Sequence, residues 1–118
     1  MIRDIKQEEN AIRVSSDKGE EKIHFKVKID KVIQCQDSVI VLTAAFDPKE
    51  GAKNVHRFDE SGAKVWTVEE PEGIKGQANA FTNIWLTEKG ELMGYAWSGL
   101  AHQIDFQTGK ILSTRLLK

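Results

Sequence analysis

Two histidines stand in equivalent places in this sequence. His56 and His102 each precede an aspartate, Asp59 and Asp105, by three residues. A repeated His and Asp set is the raw material of a metal site or an acid–base pair, because imidazole titrates near neutrality and close carboxylates separate their pKa values. The spacing argues otherwise. On a strand, His56 shares a face with Phe58, and His102 shares one with Ile104 and Phe106. Both rings therefore read as packed side chains holding one hydrogen bond. Asp59 and Asp105 lie in polar turns closed by Gly62 and Gly109, where an aspartate accepts hydrogen bonds from its own backbone. His24 falls on the polar side of an alternating run, with no further ligand spaced for zinc. Cys35, the only cysteine, sits in Gln34-Cys35-Gln36 without a His motif or helix N-terminus to activate it. Gly-rich phosphate loops, Gly-x-Ser-x-Gly, His-Glu-x-x-His and Cys-x-x-Cys are absent from the sequence. The expectation is no catalytic residue, no metal and no cofactor.

The aromatic residues serve binding better. Trp66, Trp85, Tyr95 and Trp97 are many large rings for so short a chain, and Tyr95 and Trp97 share a strand face. With Arg57, Glu69, Asn54 or Asn83 they make a candidate sugar or peptide pocket, in which rings stack and polar groups fix orientation. Packing between sheets is the competing role for the same rings. Ile74 lies between charged residues in the long, glycine-containing segment Pro71 to Ala80. Loops of that kind often hold binding residues, so Ile74 joins Trp66, Trp85, Tyr95, Trp97 and Arg57 as a candidate contact.

Strands must position these residues. Ile23, Phe25, Val27 and Ile29 alternate with His24, Lys26, Lys28 and Asp30, which predicts one strand with a wet face. Val39 to Phe46 is apolar on both parities and predicts a central strand buried on both faces. Lys89-Gly90 predicts a hairpin between Asn83–Thr87 and Glu91–Trp97. Glu8-Glu9-Asn10 and Gln36-Asp37-Ser38 predict further turns. The predicted core is Val27, Ile29, Val39, Val41, Phe58, Val65, Leu86, Leu92, Ile104 and Ile111. About eleven strands result. They divide as three before residue 30, four from Val32 to Glu69 and four from Asn83 to Leu117. With no linker or compositional break, the chain reads as one all-β domain with blade-like units at about 1–30, 31–70 and 83–118.

The units share a motif. A short strand runs into a polar turn closed by Gly and restarts on a basic and an apolar residue: Ala11 to Gly19, Val55 to Gly62 and Ala101 to Gly109. The glycines recur at intervals of 43 and 47 residues, within the period of propeller blades. Phe58-Asp59-Glu60-Ser61-Gly62-Ala63-Lys64-Val65-Trp66 and Ile104-Asp105-Phe106-Gln107-Thr108-Gly109-Lys110-Ile111-Leu112 resemble the quinoprotein-like propeller repeat over its outer hairpin. The first copy has Ser15 where the repeat expects Asp. The resemblance implies a propeller architecture. That family holds its quinone at the centre of a full ring, by residues with no identifiable counterpart here, so no cofactor is carried over. Propellers usually have four to eight blades. Three units therefore predict an incomplete propeller finished by other chains, or a closed curved sheet or barrel.

Composition sets the remaining bounds. The chain has 118 residues, 30% of them charged, with net charge −1. That balance lacks the basic stripe of a nucleic-acid binder, although Lys22, Lys26, Lys28 and Lys31 fall close together. No apolar run approaches the roughly 20 residues of a membrane span. The opening residues lack the apolar core of a signal peptide, so the cytoplasm is the expected location. The function expected is a non-enzymatic cytoplasmic protein-binding or accessory module, an inhibitor or immunity-type partner. It would use loops and edge strands to meet another protein or to self-associate. The alternative is a small repeat lectin binding carbohydrate through its aromatic residues. A lectin needs equivalent rings in each repeat, and Trp66 has only Leu112 and His24 near its equivalent places.

Overall fold

The computed structural model describes residues 1–44, 52–71 and 79–116. Eleven strands follow in order: β1 (Ile2–Gln7), β2 (Ala11–Ser16), β3 (Gly19–His24), β4 (Ile29–Cys35), β5 (Ser38–Thr43), β6 (Val55–Asp59), β7 (Lys64–Thr67), β8 (Phe81–Leu86), β9 (Leu92–Ala96), β10 (Leu100–Ile104) and β11 (Ile111–Leu116). They form three separate antiparallel sheets, β1-β2-β3, β4-β5-β6-β7 and β8-β9-β10-β11. The fold is all-β and propeller-like, with no closed barrel among the described residues. The first sheet has three strands where the other two have four.

The second sheet sits between the others. All six residues of β5 are buried. Val39 and Val41 pack with Ile2, Ile12 and Val14 of the first sheet, while Ile40 and Leu42 pack with Phe81, Ile84, Leu92 and Ile104 of the third. A strand covered on both faces needs apolar side chains on both parities. Each fully buried one contributes about 1.5–3 kcal/mol. Ile29, Phe58, Leu92 and Ile104 join these cores as expected.

Two expectations change. The alternating run from Ile23 to Asp30 is not one strand: β3 ends at His24 and β4 begins at Ile29. Between them the chain crosses from the first sheet to the second. Phe25 N–H donates to Asn10 O at 2.8 Å and Ile29 N–H to Glu9 O at 2.8 Å, so the turn after β1 takes these hydrogen bonds. Phe25 sets its ring edge-on to Phe58 at 5.6 Å. Val65 is exposed, at 42%, and not in the core. Arg57 pairs with Trp66 and Phe58 with Lys64, leaving Val65 as the extra residue of a bulge. Bulged residues leave the ladder and re-aim their side chains. Leu112 is skipped in the same way between Ser113 and Ile111 and is 58% exposed.

The repeated turn holds sheet to sheet. Gly19, Gly62 and Gly109 all have positive φ and each closes a hairpin between antiparallel neighbours. A Cβ on Gly109 would lie 2.8 Å from the Trp66 ring, and one on Gly62 would lie 2.9 Å from Glu21 Cβ. The outer strand of each sheet thus rests on the turn glycine of the next. Gly19, in the first sheet, has nothing above it. Across the second junction, Trp66 Nε1 and Arg57 Nη1 both donate to Phe106 O at 2.8 Å. Asn54 adds a buried link, donating to Phe81 O at 2.8 Å and accepting from Phe81 N–H at 3.0 Å.

Gly109→Ala should destabilise the protein by more than the ~1 kcal/mol typical of a left-handed backbone position, because the new methyl also meets the indole. Gly19→Ala carries the backbone cost alone. Urea unfolding of both variants, compared at constant m, measures the difference.

Candidate functional site

The sequence-predicted residues fall in different places. Arg57 and Trp66 come together between the second and third sheets. Trp66 is buried there, and the Arg57 guanidinium lies 4.0 Å over the Phe106 ring. Both side chains are engaged in holding the turn of the third sheet. Trp85 and Tyr95 lie on the opposite, outer face of that sheet. Trp97 follows β9 in a turn, 75% exposed, with its N–H donating to Ala80 O at 2.9 Å. Ile74 lies outside the described residues.

Cross-strand pairing defines the outer face of the third sheet. Asn83, Tyr95, Ala101 and Arg115 form one row, and Trp85, Met93, Gln103 and Ser113 form the next. Residues opposite one another on antiparallel strands share a face. Trp85 and Tyr95 are half-buried and Met93 is covered. Arg115 Nη2 lies 3.8 Å from Met93 Sδ. The face is thus a broad aromatic and thioether surface with polar edges.

The outer face of the first sheet is its opposite in character. Lys6, Arg13 and Lys22 form one row, beside Ser15 and Glu20. Arg13 pairs with Glu8 at 3.1 Å and Glu20 at 3.2 Å, and Lys22 pairs with Glu8 at 3.4 Å. Arg13, Lys22, Glu8 and Glu20 thus satisfy one another, with Lys6 beside them, and leave a charged end to the stack.

A small pocket of about 240 Å³ opens at the junction of the first and second sheets. Phe25, His56 and Phe58 form its aromatic wall, and Lys26, Lys53 and Lys64 line it from three separate segments. The His56 ring lies 6.1 Å from Phe25 and 6.4 Å from Phe58, and its Nδ1 is 3.0 Å from Thr67 Oγ1. Burial, with the Lys64 charge, pushes the His56 pKa down to about 4. Sequence reasoning missed this pocket, because its lysines are distant in the chain. Only Lys26 of the noted lysine cluster lines it.

The repeated His and Asp residues bond within their own hairpins, although among the described residues the buried Nε2 of His102 has no hydrogen-bond partner. His102 is buried, and its Nδ1 is 2.8 Å from Thr114 Oγ1. The Asp59 carboxylate accepts from the Ser61 hydroxyl and N–H and from Ala63 N–H, which hold its pKa below the ordinary value. Asp105 accepts from Gln107 N–H at 3.0 Å and the Thr108 hydroxyl at 2.9 Å. Among the described residues no His, Cys, Asp and Glu cluster is placed to hold a metal ion.

Three meandering sheets stacked through their outer hairpins define a propeller-like all-β protein. The chain belongs to the family described as "Domain of unknown function (DUF7957)", whose model matches residues 2–116. No curated protein matches it. Among solved structures it is similar to the crystal structure of BamB from Moraxella catarrhalis, with a TM-score of 0.59 and 16% identity. The likeness covers 92% of this chain and 32% of that one, so the chain spans about a third of that protein's length. At this identity the likeness concerns the fold.

The His56 shift has a consequence for stability. Its folded pKa lies below its ordinary value of 6.5, so the unfolded chain takes up the proton first. The resulting stability is fully present above pH 6.5 and is lost as pH falls through about 4. The loss should be on the order of 3 kcal/mol. Urea midpoints across this range should fall less steeply for His56→Gln than for the parent.

Proposed function

We propose that the chain is a non-enzymatic protein-binding module whose contact surface is the outer face of the third sheet. The difference between the two ends of the stack carries this reading. The first sheet ends in a charged face on which Arg13, Lys22, Glu8 and Glu20 pair among themselves. The third ends in Trp85, Met93 and Tyr95 beside Arg115. Tyr, Trp, Met and Arg are the residues enriched where proteins meet. Large rings half-exposed on one sheet face also mark association surfaces. The partner is a protein that lays an apolar patch over these rings and offers an acceptor to Arg115.

The reading is tested by affinity capture from cells that make the protein, with each retained species quantified for the parent and three variants. One partner protein should be retained by the parent and by Arg13→Glu, which changes the other end. It should be lost with Trp85→Glu and with Tyr95→Glu, each first shown to be folded by circular dichroism. Buried aromatic anchors of this kind cost about 2 kcal/mol or more when removed. Retention of the same protein by both aromatic variants overturns the reading. So does specific binding to a glycan array that disappears in Trp85→Glu, which favours the carbohydrate alternative.

A further inference from the structure

The pocket between the first and second sheets is separate from the outer face of the third and does not depend on its role. Its composition is one-sided. Lys26, Lys53 and Lys64 line it, and among the described residues none of the three forms an ion pair and no carboxylate lines the pocket. Lys18 and Lys22, by contrast, meet carboxylates, Glu60 at 3.3 Å and Glu8 at 3.4 Å. Uncompensated ammonium groups around one cleft raise the local potential and concentrate anions there.

The aromatic wall is a corner of apolar rings. Phe25 stands edge-on to Phe58, with the rings at 85° and 5.6 Å apart. This arrangement exists because the chain leaves the first sheet at Phe25 and must cross to the second. His56 completes the wall. Burial and the neighbouring Lys64 keep its ring neutral at physiological pH, so it offers a flat face. A volume of about 240 Å³ lies below the range of drug-sized sites, which begins at roughly 300 Å³. One ring and one charged group fit within it.

We propose that this pocket binds a small aromatic carboxylate, with the ring against Phe25, His56 and Phe58 and the carboxylate among Lys26, Lys53 and Lys64. Ammonium-to-carboxylate hydrogen bonds are about twice as strong as neutral ones. The aromatic wall adds edge-to-face contact with the ring.

Benzoate is the probe, titrated into the ¹⁵N-labelled full chain at low salt and followed by amide chemical shifts. Saturable shifts should appear at residues 24–27, 53–58 and 64. Lys53→Gln and Lys64→Gln, both at exposed positions, should each weaken binding about tenfold, as expected for loss of a hydrogen bond to a charged group. Benzamide, benzylamine and inorganic phosphate should bind at least tenfold more weakly, since each lacks either the negative charge or the ring. The proposal is overturned if benzoate shifts do not saturate or map elsewhere, or if the lysine variants bind like the parent. Equal binding of benzamide or benzylamine removes the lysines from the argument. Equal binding of phosphate removes the aromatic wall.

Discussion

The stacking of these sheets depends on a bare backbone at two hairpin turns, those of Gly62 and Gly109. Two sheets stack here only because the outer strand of one can lie directly on the turn glycine of the next. Over Gly109 the passenger is an indole, and the contact is secured by two donors, from Trp66 and Arg57, converging on the carbonyl of Phe106. Over Gly62 the passenger is the stem of Glu21. The asparagine at position 54 reinforces the second junction at its other end, where it reads the backbone of Phe81 on both sides. A buried amide that meets its partners this fully adds specificity without leaving an unpaired group.

Much of this was legible in the sequence, and the reasons are local. The strand–turn–Gly motif marks three hairpins, because a positive φ and an aspartate that bonds its own turn are short-range requirements. The double apolar parity of β5 announces a strand covered on both sides. What stayed hidden is long-range. Val65 reads as core by alternation, yet a bulge beside Phe58 turns it outward. Nothing in its immediate neighbours signals that bulge. Phe25 fits a period-two run, but it leaves the ladder, its N–H bonding Asn10 O and its ring meeting Phe58. The rings singled out for binding were visible as residues, whereas their division between an interior clamp and an outer face depends on which parity meets the second sheet. The lysine pocket has no sequence signature at all, since its members come from three segments.

The two ends of the stack obey different rules. Nothing lies within 4 Å of a Cβ placed on Gly19, and the face beside it carries the paired charges of Arg13, Glu8, Glu20 and Lys22. Exposed edges are managed in a similar way: Arg3, Asp4 and Lys6 on β1 and Glu20, Glu21 and Lys22 on β3 place charges along the rows where a foreign strand would pair. The third sheet has no comparable treatment of its outer face. Terminal units of repeat proteins commonly carry a polar outer face, and of the two outer faces here only that of the first sheet has this character.

The double burial of β5 carries a further cost in information. Strands usually find their alignment because a shift of one residue would turn the apolar face to water. In β5 such a shift exchanges Val39 and Val41 for Ile40 and Leu42, one apolar set for another, so hydrophobicity cannot choose between them. The choice falls to the polar residues at the two ends. Ser38 Oγ accepts from Arg57 Nε at 2.8 Å, immediately after a turn in which Gln36 takes a φ of 54°. At the other end Thr43 N–H donates to Asn54 O at 2.9 Å, and Asn54 Nδ2 donates back to Thr43 O at 2.7 Å. The most hydrophobic strand in the molecule is therefore aligned by its least hydrophobic residues, and Ser38 and Thr43 are buried to do it.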